Sequence, residues 1–256
     1  MHQLSDYATK YQHIRMERDG DGILEVTLHT GGDSLQWDFV AHEELPRAFY
    51  EIAEDQENRV VILTGVGEDF IGPQVTGGGH PLFPSPPTIP FLEKIIFEGK
   101  QLLMNFLNIQ APVISALNGP AWRHSELPLL ADIVIASDTV AFQDSGHFYG
   151  GLVPGDGMHV VFPLLIGANR ARYFLLTGQI IKAQEAKDLG LVAELHPQAK
   201  VLDRARELAR EIAVKPPSLV RLTRAALTEQ IKRDMQATLG PGLYVEMLAM
   251  ADKGRE

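Results

Sequence analysis

Apolar residues in the first two-thirds of the chain form short runs separated by stretches with helical spacing. Residues 23–28 alternate apolar and polar side chains, which predicts a strand, and residues 60–64 form a fully apolar run ending at Gly65, which predicts a buried strand. Between them, residues 41–55 carry apolar side chains at helical spacing. The order strand, helix, strand predicts a layered α/β core.

The same pattern returns further along the chain. Residues 113–117 predict a buried strand that ends at Asn-Gly-Pro, and residues 133–136 and 140–142 predict two more strands with short exits. Residues 91–108 have the apolar spacing of a helix. Helices that cover both faces of these strands would complete the layers.

The composition changes after Val192. Successive amphipathic helices without an intervening strand are predicted over residues 200–214, 217–230 and 235–251. Pro216-Pro217 and Gly240-Pro241-Gly242 are predicted to separate them, because proline and glycine interrupt helices. We therefore divide the chain into a core at 1–198 and a C-terminal helical region at 199–256.

Residues 65–90 form a long stretch rich in glycine and proline. A connection of this length and composition is usually functional or disordered. His80 follows Gly77-Gly78-Gly79 within it, and we consider both a lid over a site and a plain surface loop.

Length and charge narrow the function classes. A chain of 256 residues, 45% of them hydrophobic, fits one large soluble domain or one domain with an appended piece. A net charge of -10 disfavours nucleic-acid binding, since the phosphate backbone would be repelled. The absence of cysteine excludes disulfides and thiolate sites. Without an apolar leader or a run long enough to span a membrane, a cytoplasmic protein with no membrane partner is expected.

The segment from Phe142 to Phe162 carries the most informative chemistry. His147 precedes Asp156 by nine positions on a turn rich in glycine and proline. An imidazole and a carboxylate brought together by a chain that doubles back form a general base with its orienting partner. A loop histidine beside an N-capping aspartate is the alternative that spacing alone leaves open.

Common cofactor and metal motifs are missing from the sequence. His42-Glu43-Glu44 has no second histidine at helical spacing, so it does not form the usual zinc pattern. Gly65-Val66-Gly67 is too short for a dinucleotide fingerprint, and no Gly-X-Ser-X-Gly elbow occurs. We expect neither a cofactor nor a metal.

Several stretches, taken together, resemble the crotonase (enoyl-CoA hydratase/isomerase) superfamily. They lie at residues 60–70, 111–121, 126–137, 153–155 and 175–192, in the order that the family shows. The resemblance implies a spiral of repeated ββα units, a C-terminal helical region that mediates trimerisation, and an active site between the two main layers. It implies a homotrimer or a dimer of trimers.

The chain departs from this family where a thioester would bind. Residues 70–75 and 122–125 replace two glycine- and alanine-rich stretches that normally donate a backbone N–H pair to the thioester oxygen. Pro73 has no N–H, and Trp122-Arg123-His124-Ser125 is bulky where the family has glycines. We therefore expect no binding of a CoA thioester. His147 stands where hydratases of the family often have a catalytic glutamate.

Within the superfamily, the residues at 118–124, 142–148, 153–157 and 169–178 are similar to those of 6-oxocamphor hydrolase and related β-diketone hydrolases. These enzymes cleave the carbon–carbon bond between two carbonyls. The resemblance implies that His147 is the base, Asp156 its partner, His124 and Trp37 donors to a substrate carbonyl, and Glu246 a polar group from the C-terminal helices.

Each assignment has a plainer alternative. His124 fits a buried histidine at a strand exit, Trp37 fits core packing, and Glu246 fits an exposed helical position. Two rival functions also remain: a CoA-dependent hydratase or isomerase, and a non-catalytic protein that keeps only the fold. A small-molecule diketone as substrate, cleaved by a water that His147 and Asp156 activate, is our preferred hypothesis.

Overall fold

The computed structural model describes residues 3–76 and 87–253, and its strands and helices alternate along most of the chain. The strands are β1 Ile14–Arg18, β2 Ile23–Leu28, β3 Leu35–Gln36, β4 Val60–Gly65, β5 Ile71–Gly72, β6 Val113–Leu117, β7 Ile133–Ser137, β8 Ala141–Phe142, β9 Ile181–Lys182 and β10 Glu194–His196. The helices are α1 Leu4–Tyr7, α2 Phe39–Glu54, α3 Ile89–Asn108, α4 Glu126–Leu129, α5 Met158–Ile166, α6 Ala168–Thr177, α7 Ala183–Asp188, α8 Gln198–Ala213 and α9 Pro217–Lys253.

A six-stranded sheet in the order β1-β2-β4-β6-β7-β10 forms the centre of the fold. All its pairs are parallel except β1 with β2. Strand β4 is buried along its whole length because both faces of the sheet are covered. Val61 and Leu63 face the main core, whereas Val60 and Ile62 face a second core that α8 covers with Val201 and its neighbours. The α/β prediction is confirmed.

Two short sheets form a second layer that carries the site. Strand β3 pairs with β5, and β8 pairs with β9. Ala121 connects them, because it forms bridges with both Ile71 and Phe142. The chain segments that leave β3, β8 and Ala121 therefore emerge beside one another.

The predicted strands and helices in the core agree with the structure to within a few residues, but two strands of the six-stranded sheet, β1 and β10, were not predicted, nor were the two-residue strands β3, β5 and β9. β1 alternates buried Ile14 and Met16 with exposed Arg15, so its pattern was visible in the sequence. β10 has only three residues and follows directly on the turn after α7. A pattern this short does not stand out from a loop.

The predicted helix break at residues 240–242 is wrong, because α9 continues through Pro241 for 37 residues. Tertiary contacts outweigh the local preference here. Gly242 packs directly on the active-site loop, where a Cβ would lie 2.5 Å from the carbonyl oxygen of Gly155. One turn earlier, Nε2 of His159 lies 3.3 Å from the carbonyl oxygen of Thr238. These contacts hold the helix on its course despite the missing N–H of proline.

The helices after residue 198 pack on the elements before it. Nε of Arg206 in α8 lies 2.6 Å from Glu25 in β2, and Nε of Arg224 in α9 lies 2.6 Å from Asp132 beside β7. Leu243 of α9 packs against α3. Helix α8 therefore completes the core, and α9 brings its C-terminal half to the pocket described below. Within the described ranges, no helix is long and apolar enough to cross a membrane.

Candidate active site

A cavity of about 50 Å³ lies between α2, α3, the second layer and α9. All five residues that the sequence singled out contribute to its wall. The lining residues are Trp37, Asp38, Phe39, His42, Ile95, Gly99, Leu102, Arg123, His124, Asp144, Gly146, His147, Leu152, Asp156, Leu243 and Glu246. The hypothesis of a lid at His80 concerns residues outside the described ranges.

His147 stands in the turn that follows β8, and both of its ring nitrogens face carboxylates. Nδ1 lies 2.5 Å from Oδ1 of Asp144, and Nε2 lies 3.2 Å from Oδ2 of Asp156. The backbone N–H of Leu152 donates to the carbonyl oxygen of His147 at 2.8 Å, which closes the turn. The imidazole is therefore fixed in orientation from both sides.

Asp144 is a residue of this site to which the sequence motifs assigned no role. It belongs to the Phe142-Gln143-Asp144 motif, but only Asp156 received the role of orienting partner. In the structure, Asp144 bonds Nδ1 and Asp156 faces the opposite nitrogen. An aspartate three residues before a histidine in one turn was the available signal, because such a spacing brings both side chains to the same side of the turn.

Asp156 connects the two histidines of the pocket. Its Oδ2 lies 3.2 Å from Nε2 of His147 and also 3.2 Å from Nδ1 of His124. The flanking glycines make this position possible, since a Cβ on Gly155 would lie 2.1 Å from the carbonyl oxygen of Gly242. The loop of Asp156 thus packs directly against α9.

The carboxylates control the charge of His147. Burial alone would lower its pKa, but the negative charges and hydrogen bonds of Asp144 and Asp156 outweigh burial and raise the pKa well above 6.5. Burial acts to raise the pKa of Asp156, but the His147 charge outweighs it and holds that pKa below its usual range. The resting site therefore contains an imidazolium between two carboxylates at neutral pH.

His124 has the opposite electrostatic character. Burial lowers the pKa of its imidazole to about 3, so the ring is neutral over the physiological range. The ring stacks on Trp37 with centroids 3.8 Å apart and planes inclined by 33°. Its Nδ1 lies 2.9 Å from Oε1 of Glu126. His124 is thus a neutral, rigidly held imidazole on the wall of the cavity.

Trp37 follows β3 and is buried against the pocket. Its backbone N–H donates to the carbonyl oxygen of Gly72 at 2.8 Å, and its ring meets His42 edge to face with centroids 6.0 Å apart. The position of Trp37 agrees with both interpretations of the sequence, core packing and a role in the site, because the ring packs in the core and also lines the cavity.

We expect Trp37→Phe to lower kcat about 10-fold or more while the melting temperature changes little. Phenylalanine keeps most of the stacking area on His124 but has no indole N–H to donate. Steady-state kinetics and thermal unfolding measure the two effects. Unchanged kinetics would assign Trp37 to packing alone.

Glu246 reaches the cavity from α9. Its Oε1 lies 3.7 Å from Nε2 of His147, and its side chain is almost entirely buried. Burial raises the pKa of Glu246 to about 8, although the positive charge of His147 works against this. At neutral pH the side chain is a carboxylic acid, which can donate a hydrogen bond.

This pKa predicts how stability depends on pH. Between pH 4.5, the ordinary pKa of glutamate, and about 8, folded Glu246 keeps a proton that the unfolded chain releases. Its contribution to the free energy of unfolding is therefore largest at the acid end of this window. As pH rises to about 8, this contribution falls by about a few kcal/mol. Urea unfolding at pH 5 and pH 8 should show a smaller loss for Glu246→Gln than for the wild type. The exposed Glu229→Gln is the control, and equal losses in all three proteins would contradict the assignment.

Two backbone N–H groups, in or next to the stretches where the chain departs from the crotonase pattern, are bonded within the chain. The N–H of Trp122 donates to the carbonyl oxygen of Ile71 at 2.9 Å, and the N–H of Val75 donates to Oγ of Ser145 at 3.1 Å. Both N–H groups thus have acceptors within the chain. Pro73 contributes none, as the sequence implies.

Two sets of side chains at or beside the cavity have the spacing of metal ligands. They are His124 with Glu126 and Asp156, and His147 with Asp156 and Glu246, with ligand atoms within 4.8 Å of one another. A metal would have to displace protons from His147 and Glu246, because only deprotonated groups coordinate.

Comparison with known proteins identifies the family. The family model for enoyl-CoA hydratase/isomerase matches residues 18–247. A probable enoyl-CoA hydratase of Mycobacterium bovis is 27% identical and covers 96% of this chain and 89% of its own length. Carnitinyl-CoA dehydratase of Shigella flexneri is 29% identical over 85% of this chain and 79% of its own length.

Solved structures show the same relationship. A β-diketone hydrolase from the cyanobacterium Anabaena sp. PCC 7120, bound to (S)-3-oxocyclohexyl acetic acid, is 42% identical, covers 98% of both chains and has a TM-score of 0.89. An enoyl-CoA hydratase/isomerase from Mycobacterium paratuberculosis is 26% identical over 95% of both chains, with a TM-score of 0.81. The protein therefore belongs to the enoyl-CoA hydratase/isomerase family and has the crotonase fold that its sequence motifs predict.

Proposed function

We propose that this protein is a hydrolase that cleaves the carbon–carbon bond between the two carbonyls of a β-diketone, with water as the nucleophile and without CoA. The observation that carries the proposal is the buried His147, held between Asp144 and Asp156 at the wall of a cavity. The 42% identity to the β-diketone hydrolase from Anabaena supports it.

In the proposed reaction, neutral His147 accepts a proton from water as the water oxygen bonds to one carbonyl carbon. Asp144 at Nδ1 fixes the tautomer that leaves Nε2 free to accept this proton. The tetrahedral intermediate then collapses, the carbon–carbon bond breaks, and its electron pair forms an enolate. The imidazolium returns its proton to the enolate carbon. A cyclic diketone and one water thus give one keto acid, whereas a linear diketone and one water give one carboxylic acid and one ketone.

The carboxylates favour the imidazolium form after proton transfer. Because the same charges keep resting His147 protonated, the neutral base is the minor form at neutral pH and increases as pH rises. Asp156 lies beside Nε2, where the attacking water would have to bind.

The negative charge that develops on oxygen needs hydrogen-bond donors. We assign this role to neutral His124 and the indole N–H of Trp37, which stack together on the cavity wall. Protonated Glu246 is a third donor, and it would hold the second carbonyl oxygen. These side chains would replace the backbone donors that the family uses for thioesters.

The rest of the cavity suits a hydrocarbon skeleton. Phe39, Ile95, Leu102, Leu152 and Leu243 line it with apolar surface. An alkyl or cycloalkyl diketone would bury its carbon atoms there, while its two oxygens face the polar residues.

A CoA-thioester hydratase is the second candidate, since relatives at 26% and 27% identity carry that name. Two residues argue against it. Pro73 has no N–H in a stretch where the family resemblance implies a backbone donor, and His147 stands where hydratases of the family often have a catalytic glutamate. A non-catalytic role would leave the cost of burying His147, Asp144 and Asp156 without a purpose.

We further propose that the protein assembles as a homotrimer or a dimer of trimers through its C-terminal helices. Helix α9 exposes large apolar side chains, including Leu222, Leu227 and Leu248. Light scattering coupled to size-exclusion chromatography should give three or six times the mass of the 28.3 kDa chain. A stable monomer would contradict the assembly.

The experiment that tests the function is an assay of cyclic and linear 1,3-diketones followed by loss of the ultraviolet absorbance of the enol. EDTA is present throughout, since the proposed steps use no metal. We expect turnover of at least one diketone and none of crotonyl-CoA. Hydration of crotonyl-CoA without diketone cleavage would instead favour the second candidate.

A further inference from the structure

His124 can serve as a donor to substrate only if the hydrogen sits on the correct ring nitrogen. Nδ1 faces two carboxyl oxygens, Oε1 of Glu126 at 2.9 Å and Oδ2 of Asp156 at 3.2 Å. A neutral imidazole has one N–H. If that N–H were on Nδ1, Nε2 would be an acceptor and would repel an oxyanion. Some group must therefore donate a hydrogen bond to Nδ1.

Glu126 is placed to be that donor. It begins the short helix α4, two residues after His124, and is completely buried. Its second oxygen, Oε2, has no hydrogen-bond partner within residues 3–76 and 87–253. A carboxylate there would be a completely buried charge with no cation in contact with it among the described residues, and burying such a charge is more costly than burying a neutral carboxylic acid.

Burial and the negative charge of Asp156 also favour the protonated form of Glu126. Burial, followed by the negative charge of Asp156, raises the pKa of Glu126 well above its usual value, and this outweighs the opposing charge of His147. Asp156 remains ionised because His147 compensates it. Of the two carboxyl groups at Nδ1, Glu126 is thus the one that has a proton to donate.

The backbone conformation of His124 is unusual and indicates that the surrounding structure holds this residue in place. In the described part of the chain, His124 is the non-glycine residue with a positive φ, 45°. Such a conformation is unfavourable for a residue with a Cβ and persists where the surrounding structure enforces it. Here it accompanies the stacking of the ring on Trp37 and the contact of Nδ1 with Glu126.

We propose that Glu126 is a positioning residue that, as a neutral carboxylic acid, donates its O–H to Nδ1 of His124 and so keeps the N–H of His124 on Nε2, ready to bind the substrate oxygen. The inference rests on the proposed function for the role of Nε2, but the hydrogen bond itself does not depend on it. Glu126 need not touch the substrate.

Two substitutions distinguish the hydrogen-bond donor of Glu126 from the volume of its side chain. Glu126→Gln keeps the shape and can donate an amide N–H to Nδ1, so kcat on the diketone should remain within about 3-fold of the wild type. Glu126→Met keeps the volume without a donor, and kcat should fall about 10- to 100-fold with little change in KM. Circular dichroism checks that both variants fold. Equal kinetics for Glu126→Gln and Glu126→Met would overturn the proposal.

Infrared difference spectroscopy tests the proton directly and needs no substrate. A buried carboxylic acid has a carbonyl stretching band that a carboxylate lacks, and we expect Glu126→Gln to remove one such band from the wild-type spectrum. Glu98→Gln is the matched control, because Glu98 also contacts a histidine, His42, at 3.0 Å, but has Lys94 at 3.5 Å as a counter-charge. This variant should leave the carboxylic acid bands unchanged.

The two kinds of failure are distinguishable. If Glu126→Gln removes no carboxylic acid band, Glu126 is ionised and the inference is wrong, whatever the protein catalyses. If the wild type cleaves no diketone but the band is lost, Glu126 is a carboxylic acid as inferred and the proposed function is at fault.

Discussion

Replacing His147 with alanine should lower kcat on a β-diketone by about 10²- to 10⁴-fold, the range typical for removal of a general base. The variant loses the only imidazole positioned between Asp144 and Asp156 in the described structure. It should also be less stable than the wild type, because two buried carboxylates lose the positive charge that compensates them.

The variant His147→Gln separates catalysis from stability. Glutamine fills more of the space than alanine does and can donate an N–H to one carboxylate, but it cannot accept a proton from water. We expect it to be as slow as His147→Ala and closer to the wild type in melting temperature. A glutamine variant with wild-type kcat would exclude His147 as the base.

Asp144→Asn should lower kcat by about 10³-fold or more, although the change is nearly isosteric. An amide can present its N–H₂ to Nδ1 of His147, and the ring would then carry its hydrogen on Nε2 and have no lone pair for the water. The remaining charge near the ring would come from Asp156 alone, so the imidazolium would also lose stabilisation.

A double-mutant cycle checks whether Asp144 acts through His147. If the two residues form one unit, the double variant Asp144→Asn/His147→Ala should be scarcely slower than His147→Ala. Additive losses in kcat would show that Asp144 has a separate role. The same cycle with Asp156 tests the pairing that the sequence suggested, at the other ring nitrogen.

Local patterns were sufficient to predict much of the fold. The core strand β6 was predicted at its observed bounds and β4 to within one residue, because an uninterrupted apolar run between turn residues has few alternatives. The break at residues 240–242 was predicted wrongly because that prediction, too, rested on local sequence alone. Sequence spacing registers the proline and glycines but not the contact between Gly155 and Gly242 that keeps α9 continuous.

The sequence predicted which residues form the site, but not which of them bond to one another. The five side chains assigned from the sequence, from Trp37 to Glu246, all line the cavity. The motifs did not show that Asp144 bonds Nδ1 of His147 or that Glu126 bonds Nδ1 of His124. Which nitrogen meets which carboxylate depends on the course of the turns after β8 and Ala121, and this emerges only when the second layer is assembled.

The most direct test of the account is hydrolysis of a cyclic 1,3-diketone in isotopically labelled water, with purified protein, EDTA and no CoA. We predict one keto acid per diketone consumed, with one labelled oxygen in its new carboxylate and a hydrogen from solvent on the carbon released as enolate. His147→Ala should reduce both signals together. A diketone that stays intact, or a product without labelled oxygen in the carboxylate, would contradict the assignment of this protein as a β-diketone hydrolase.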